Sequence, residues 1–190
     1  MSALSHQCFA FAAFITVKGR SYLEHYGNRG VVCDDTFNVT KYSFRLATLL
    51  VTDDSGNGFP CAHVLSYRMT SAEMENLFQL VKQLVPSFDP QYFMPDDTLT
   101  FFNAFKTVFP YSRAKKVLCC FHVLQIFKRK HKELLKAEFL PTAEKLIRAI
   151  LFDTDKVNFE NGFAAYMTWL VNIGASDMLA VRCFDCFGLF

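Results

Sequence analysis

Two pairs of neighbouring aspartates are the residues of this chain best placed to do chemistry. Asp34-Asp35 follows the apolar run 31–33, and Asp96-Asp97 comes shortly after the apolar run 92–94. A short apolar run bounded by polar residues predicts a buried strand, so each pair would stand where a strand ends. Carboxylate oxygens are hard ligands that suit Mg²⁺ or Mn²⁺. One acid from each strand could therefore hold one such cation or two of them.

The same aspartates have a simpler interpretation, which the residue pattern alone leaves open. Asp directly after a strand is a common turn residue and a common helix N-cap. The metal hypothesis requires the two strands to be parallel neighbours, because only then do their C-terminal ends meet at the sheet edge where open α/β sheets bind ligands. Two carboxylates placed that close repel each other, and a bound cation would keep both ionised.

The strands and helices that must position these acids are predicted from changes in hydrophobic period. Stretches 42–52 and 59–67 are rich in β-branched and large apolar residues, and the turn signal at 53–58 joins them as a hairpin. A helix is predicted over 71–86 because its apolar residues recur on one face, with Ser71 as the N-cap.

The remaining elements complete a recognisable order. Helical spacing predicts a helix over 99–109, an apolar run predicts a fifth strand over 117–121, and helices follow from residue 122 onwards. Three strands followed by helix, strand, helix and strand indicate a ribonuclease-H-like fold: a mixed five-stranded sheet flanked by helices, with a helical C-terminal segment. In that fold the first strand is central and pairs in parallel with the fourth, over a long crossover that the helix at 71–86 supplies.

Composition excludes several other classes of protein. Apolar residues make up 52% and charged residues 20% of the 190 residues, which is too apolar for a disordered chain. The seven cysteines are scattered and odd in number, which argues against a secreted disulfide scaffold. Residues 1–17 contain no Asp, Glu, Lys or Arg, but polar residues interrupt them and the basic start of a signal peptide is missing. We therefore expect neither export nor a membrane span.

Local basic runs are the candidates for contact with nucleic acid, because the net charge of +2 creates no global attraction. A basic groove beside the acids would offset their repulsion of phosphates. The predicted DNA contacts are Lys115, Lys116, Lys128, Arg129 and Lys130. The alternative for the second run is a solvated helix face, since Glu133 and Glu138 are interleaved with it.

Four motifs, in order, resemble the MULE transposase domain of Mutator-like transposable elements. They are similar to that family's first acidic motif, its hairpin, its second acidic motif with the following helix, and its Cys-x-x-His segment. In this chain they occupy residues 32–42, 49–60, 93–105 and 117–123. The resemblance covers roughly residues 22–130 and implies a DDE-type transposase that cuts and joins DNA phosphodiesters.

The resemblance also implies roles for particular residues. Asp34 and Asp96 would be the first two acids of the catalytic triad and would bind Mg²⁺ or Mn²⁺, while Asp35 and Asp97 take more variable positions of the family. The partners would be transposon ends and target DNA, a homo-oligomer is left open, and a DNA substrate implies the nucleus.

Cys119 and His122 match the family's Cys-x-x-His segment and allow two interpretations. They could bind zinc, which would need two further ligands such as Cys183 and Cys186. The interpretation we favour is a buried strand residue at Cys119, with His122 capping the next helix or pointing into the acidic site.

The third acid of the triad has no matching position. The family places a Glu after a helical insertion, and residues 159–183 resemble the helices of that insertion. The available residues Glu138, Glu144 and Glu160 stand in no matching motif. We therefore expect a transposase truncated before its third acid; the alternative is a catalytically inactive, transposon-derived module that binds DNA or protein.

The expected domain organisation follows the resemblance and a change in composition. Near residue 128 the chain changes from mixed α/β patterning to helical patterning. We predict an N-terminal segment at 1–28, a ribonuclease-H-like core at 29–128, and a helical, insertion-like region at 129–190.

Overall fold

Residues 11–95 and 99–179 are described by a computed structural model of the chain. Backbone contacts divide the chain into two units, with the boundary between Val117 and Leu118. The strands of the first unit are β1 (Phe11–Ile15), β2 (Val31–Thr36), β3 (Arg45–Thr52), β4 (Gly58–Ser66), β5 (Tyr92–Pro95) and β6 (Lys115–Lys116). Its helices are α1 (Val17–Tyr26), α2 (Ser71–Leu84) and α3 (Leu99–Val108).

The strands form one mixed sheet in the order β1-β4-β3-β2-β5-β6. The pairs β1–β4, β4–β3 and β3–β2 are antiparallel, whereas β2–β5 and β5–β6 are parallel. In the β2–β5 pair Val31 lies beside Phe93 and Cys33 beside Pro95. The predicted parallel pairing of the first acidic strand with the second is therefore confirmed.

Within the described parts of the chain the sheet has six strands, so the predicted count of five was wrong. The additional strand is β1, which pairs with the outer side of β4 through contacts such as Ala13 with Val64. All five residues of β1 are apolar, so they show no alternation that would separate a strand from a helix. Helix α1 follows it directly.

The predicted fifth strand at 117–121 was also wrong in position. The strand is β6, only two residues long, and helix α4 (Cys120–Leu134) begins where the predicted strand should end. Val117 still donates its N–H to the carbonyl of Phe93 at 2.9 Å. The apolar run continues into α4, where Val123 and Phe127 are buried on one helical face. A helical period hidden in an unbroken apolar run explains the error.

Helices α2 and α3 pack on one face of the sheet and hold β5 in place. Phe93 of β5 is fully buried, with its ring centroid 5.8 Å from that of Phe78 and 4.7 Å from that of Phe105. Helix α2 is the predicted long crossover, but its N-cap is Thr70 rather than Ser71. The reason is a capping box with Glu73, whose carboxylate accepts the Thr70 N–H at 2.9 Å.

The second unit is helical, as predicted for the C-terminal part of the chain. After α4 come a 3₁₀ turn (Ala137–Phe139), α5 (Leu140–Leu151), α6 (Lys156–Asn172) and α7 (Ser176–Leu179). Its separate core includes Phe127, Ile147, Tyr166 and Leu170. Within residues 11–95 and 99–179, no helix is both long and apolar enough to cross a membrane. The predicted domain boundary at residue 128 stays a prediction.

Candidate metal site

The two acids at the end of β2 face opposite sides of the sheet. Side chains alternate along a strand, so Asp35 shares a face with Cys33, whereas Asp34 shares the other face with Val32. Cys33 is buried in the core and Asp35 is almost as deeply buried, while Asp34 and Val32 are half-buried. The pair therefore separates into one inward-facing acid and one acid that is partly open to solvent.

The buried carboxylate of Asp35 is paired with a cation whose own side chain is partly exposed. The Arg45 guanidinium donates to Oδ2 of Asp35, whose side chain is 0% exposed. The same guanidinium lies over the ring of Phe37, 4.3 Å from its centroid. A carboxylate buried this deeply is tolerated because a paired cation offsets its lost hydration. Asp35 is therefore a structural acid in this arrangement, and Arg45 is its partner on the neighbouring strand.

Asp34 begins a row of polar side chains that crosses three strands on its face. It lies directly opposite Thr48 of β3, which lies opposite His63 of β4. Oγ1 of Thr48 and Nδ1 of His63 are 3.1 Å apart, and the His63 ring stacks on Phe14 with centroids 5.0 Å apart. Burial lowers the pKa of His63, which favours the neutral ring. We call Asp34, Thr48 and His63 the polar row.

Thr48 and His63 were not predicted as neighbours of the acid. The available signal was a polar residue in the middle of each strand of the predicted hairpin. That signal does not give the register, because a bulge shifts the β3–β4 pairing between Leu49 and Leu50.

The second predicted acid, Asp96, lies outside the described residues, as does Asp97. The description of β5 ends at Pro95, which lies beside Cys33 in the parallel register. Within residues 11–95 and 99–179, no group of three or more His, Cys, Asp or Glu side chains could hold a metal ion.

Cys119 and His122 lie at the start of α4, in the second unit. Cys119 is the N-cap of α4 with an extended backbone, and it is half-buried. The expectation of a buried strand residue at Cys119 was therefore wrong, because β6 ends at Lys116. His122 stands inside the first turn of α4 and is half-buried, so it is not the N-cap. The possible zinc ligands Cys183 and Cys186 lie outside the described residues.

Lys115 and Lys116 lie beside the N-terminal end of β5, whereas the candidate site lies at its C-terminal end. They pair in β6 with Tyr92 and Phe93. Since a parallel strand rises about 3.3 Å per residue, Lys115 is about 10 Å from the level of Pro95. Their role as DNA contacts stays a prediction.

The basic run on α4 is partly offset by carboxylates. Lys128 Nζ lies 3.4 Å from Oε2 of Glu144, and Lys130 Nζ lies 2.5 Å from Oε2 of Glu133. The hydrogen bond from Lys130 lowers the pKa of Glu133. Arg129 is exposed and lines a shallow cavity of about 400 Å³ together with Lys128 and Lys132. Glu133 therefore lies among the basic residues of α4, as the interpretation of this run as a solvated helix face expects.

Comparison with protein families identifies the chain. The family model for the MULE transposase domain matches residues 30–126, slightly more than half of the 190 residues. The match includes Asp34, Asp96, Cys119 and His122, and it spans β2 to β6. None of the curated proteins compared with the chain matches it significantly. The resemblance read from the four motifs is confirmed, and the chain belongs to the MULE transposase domain family.

Proposed function

We propose that this chain is the catalytic core of a DDE-type transposase, which cuts and joins DNA phosphodiesters with Mg²⁺ or Mn²⁺. In this proposal Asp34 and Asp96 are the first two acids. The supporting observation is the parallel pair that sets Cys33 beside Pro95. Asp34 and Asp96 are the residues that follow them in the chain. Bonded Cα atoms are about 3.8 Å apart, so chain connectivity supports placing both acids at one sheet edge.

The strand order supports the finer proposal of a ribonuclease-H-like fold. Without the edge strand β1, the order β4-β3-β2-β5-β6 puts the first acidic strand in the centre. The antiparallel hairpin lies on one side of it and the two parallel strands lie on the other. This arrangement is the one expected from the element order of the sequence.

The residues at the end of β2 fit a hard divalent cation. Asp34 suits the ligand role better than Asp35, because its side chain is partly open to solvent, whereas Asp35 is buried and paired with Arg45. When bound, the cation would activate a water or a DNA 3′-hydroxyl and stabilise the leaving oxygen. Asp34 and Asp96 would hold it through carboxylate oxygens, which Mg²⁺ and Mn²⁺ prefer.

We assign no third acid. Two of the three glutamates considered for the third acid are in ion pairs. Glu144 pairs with Lys128 at 3.4 Å, and Glu160 pairs with Lys156 at 3.6 Å. Glu138 is exposed and lies in the 3₁₀ turn before α5. DNA as substrate and partner, and the nucleus as location, belong to this proposal.

A thermal-shift titration with Mn²⁺ tests the proposed site. Because a ligand that binds only the folded state stabilises it, Mn²⁺ should raise the melting temperature of the wild type. Asp34→Asn and Asp96→Asn should each abolish the rise, and the neighbouring control Asp97→Asn should retain it. A rise that persists in either site variant contradicts the assignment. DNA binding without any Mn²⁺ response would instead favour the inactive binding module.

A further inference from the structure

We propose that a groove at the N-terminal end of β5 and β6 binds single-stranded DNA, with two cations on its phosphates and one tyrosine against a base. The choice of DNA rests on the proposed function. The groove has a volume of about 260 Å³. It is lined by Asp89, Pro90, Gln91, Tyr92, Arg113 and Lys115. We call it the Arg113 groove.

The walls of the Arg113 groove are fixed by hydrogen bonds between loops. Asn28 holds one wall, because its backbone carbonyl accepts the Gln91 N–H at 3.0 Å and its side-chain Oδ1 accepts the Asp89 N–H at 2.8 Å. The Lys115 N–H donates to the Gln91 carbonyl at 2.9 Å, which joins the two walls. The Ser112 hydroxyl donates to Oδ1 of Asp89 at 2.6 Å. The groove is therefore formed before any ligand arrives.

Two cations are available in the groove. Arg113 and Lys115 are both exposed, and neither takes part in an ion pair with any described residue. Asp89, the one acid among the described lining residues, already accepts the Ser112 hydroxyl. The described lining residues thus carry two positive charges against one negative charge, and guanidinium and ammonium groups bind phosphate oxygens through charge-assisted hydrogen bonds.

An aromatic ring beside the cations favours a single strand over a duplex. Tyr92 is 46% exposed and pairs with Lys115 in the parallel register, so the two side chains share a face of the sheet. Proteins that bind single strands combine a positive groove with aromatic side chains on which bases stack. A duplex keeps its bases stacked on each other, so its bases would be closed to the tyrosine.

The Arg113 groove is separate from the candidate metal site. Lys115 lies at the level of Tyr92, and the strand end that precedes Asp96 lies three residues further along β5, at Pro95. That difference corresponds to about 10 Å along the strand. Binding in the groove can therefore be measured with the divalent metal removed.

Fluorescence anisotropy of a labelled oligothymidylate, measured with the full chain in EDTA over a range of salt, tests the proposal. Arg113→Gln combined with Lys115→Gln should weaken binding and reduce the slope of log affinity against log salt by about 1.4, since each single-strand phosphate contact contributes about 0.7. Tyr92→Leu should weaken binding by about tenfold without changing that slope, because it removes a stacking surface and no charge.

Two controls separate the groove from general effects. Lys18→Gln with Arg20→Gln removes the same charge from α1, outside the groove lining, and should leave affinity close to the wild-type value. Tyr92→Phe keeps the stacking surface and should bind as the wild type does, even if Tyr92→Leu proves unstable.

Three results would overturn the proposal. The first is a groove variant that matches the α1 control in affinity and salt slope. The second is equal binding of duplex and single strand. The third is competition by inorganic polyphosphate with no loss in Tyr92→Leu, which would indicate a plain anion site. Asp34→Asn and Asp96→Asn should bind the oligonucleotide normally in EDTA. A wrong groove proposal and a wrong metal-site proposal therefore give different experimental results.

Discussion

Cys33 of β2 and Pro95 of β5 lie side by side in a parallel register, and each is followed in the chain by an aspartate. Parallel pairing makes the two strands end at the same edge of the sheet. An antiparallel pair would have sent the two acids to opposite edges. The orientation of these two strands is therefore the structural basis of the proposed metal site.

Disulfide trapping should detect the proximity of the two acidic positions. We expect Asp34→Cys combined with Asp96→Cys to form a disulfide under mild oxidation, because bridged Cα atoms need to lie within about 4.4–6.8 Å. Peptide mapping by mass spectrometry identifies the linked pair. The matched variant Asp35→Cys with Asp96→Cys should link far less, since position 35 faces the core. Equal linking in both variants would contradict the predicted geometry.

Removing the partner of the buried carboxylate should destabilise the fold. In Arg45→Met, the carboxylate of Asp35, whose side chain is 0% exposed beside Arg45 in the wild type, loses its cation. Breaking a buried pair from one side typically costs about 3–5 kcal/mol, which urea unfolding measures. Adding Asp35→Asn to Arg45→Met should recover part of the loss. A cost below about 1 kcal/mol for Arg45→Met, the range of exposed pairs, would show that the pair is not buried in solution.

The polar row should support metal binding at Asp34. Thr48→Val removes the hydroxyl that lies 3.1 Å from His63 Nδ1 and leaves a side chain of similar shape. Thr48 lies directly opposite Asp34 in the β2–β3 register, and a neighbour that orients a metal ligand commonly changes affinity by tenfold or more, so we expect Mn²⁺ affinity to fall by about tenfold. Thr48→Ser keeps the hydroxyl and should bind Mn²⁺ as the wild type does. Isothermal titration calorimetry compares the variants, and unchanged affinity in Thr48→Val would exclude a role for the row.

Acid should destabilise the second unit through a buried histidine. His131 is fully buried, its Nε2 lies 2.6 Å from Oη of Tyr166, and burial lowers its pKa below the ordinary 6.5. A group with a lowered folded pKa contributes stability that is present above the unfolded pKa and is lost as pH falls towards the folded pKa. Glu144 opposes this shift but does not reverse it.

The urea midpoint should therefore fall as pH decreases from about 7 to about 5. Trp169, the chain's single tryptophan, lies in the second unit with its ring centroid 6.1 Å from that of Tyr166, so its fluorescence follows this transition. His131→Gln should show a shallower fall, whereas His25→Gln, at an exposed position of α1, should retain the wild-type fall. A wild-type fall in His131→Gln would contradict the assignment to His131.

The elements around the site were predictable because each has a strong local signal. Apolar runs bounded by acids marked β2 and β5, and the one-sided apolar face of α2 marked the crossover that makes them parallel. Once a crossover joins two strands of one sheet, their relative direction follows from connectivity. The parallel pairing of β2 with β5 could therefore be inferred without coordinates, whereas the register that sets Cys33 beside Pro95 could not.

The features that were predicted wrongly or not at all depend on contacts between residues distant in sequence. The apolar residues 11–15 form a strand because they pair with β4. The partner of Asp35 is Arg45, ten residues later, and nothing local distinguishes the acid that faces the core from the acid that faces outward. Thr48 and His63 meet because of the β3–β4 register, which the bulge beside Leu49 alters. Pairing and register decide these features, and neither can be read from local composition.

The most direct test of the central claim is a double-mutant cycle on Mn²⁺ affinity, measured by titration of the wild type, Asp34→Asn, Asp96→Asn and the double variant. If both carboxylates hold one ion, each single substitution removes most of the binding and the double variant loses little more. Additive losses, or wild-type affinity in either single variant, would show that Asp34 and Asp96 do not share a metal ion.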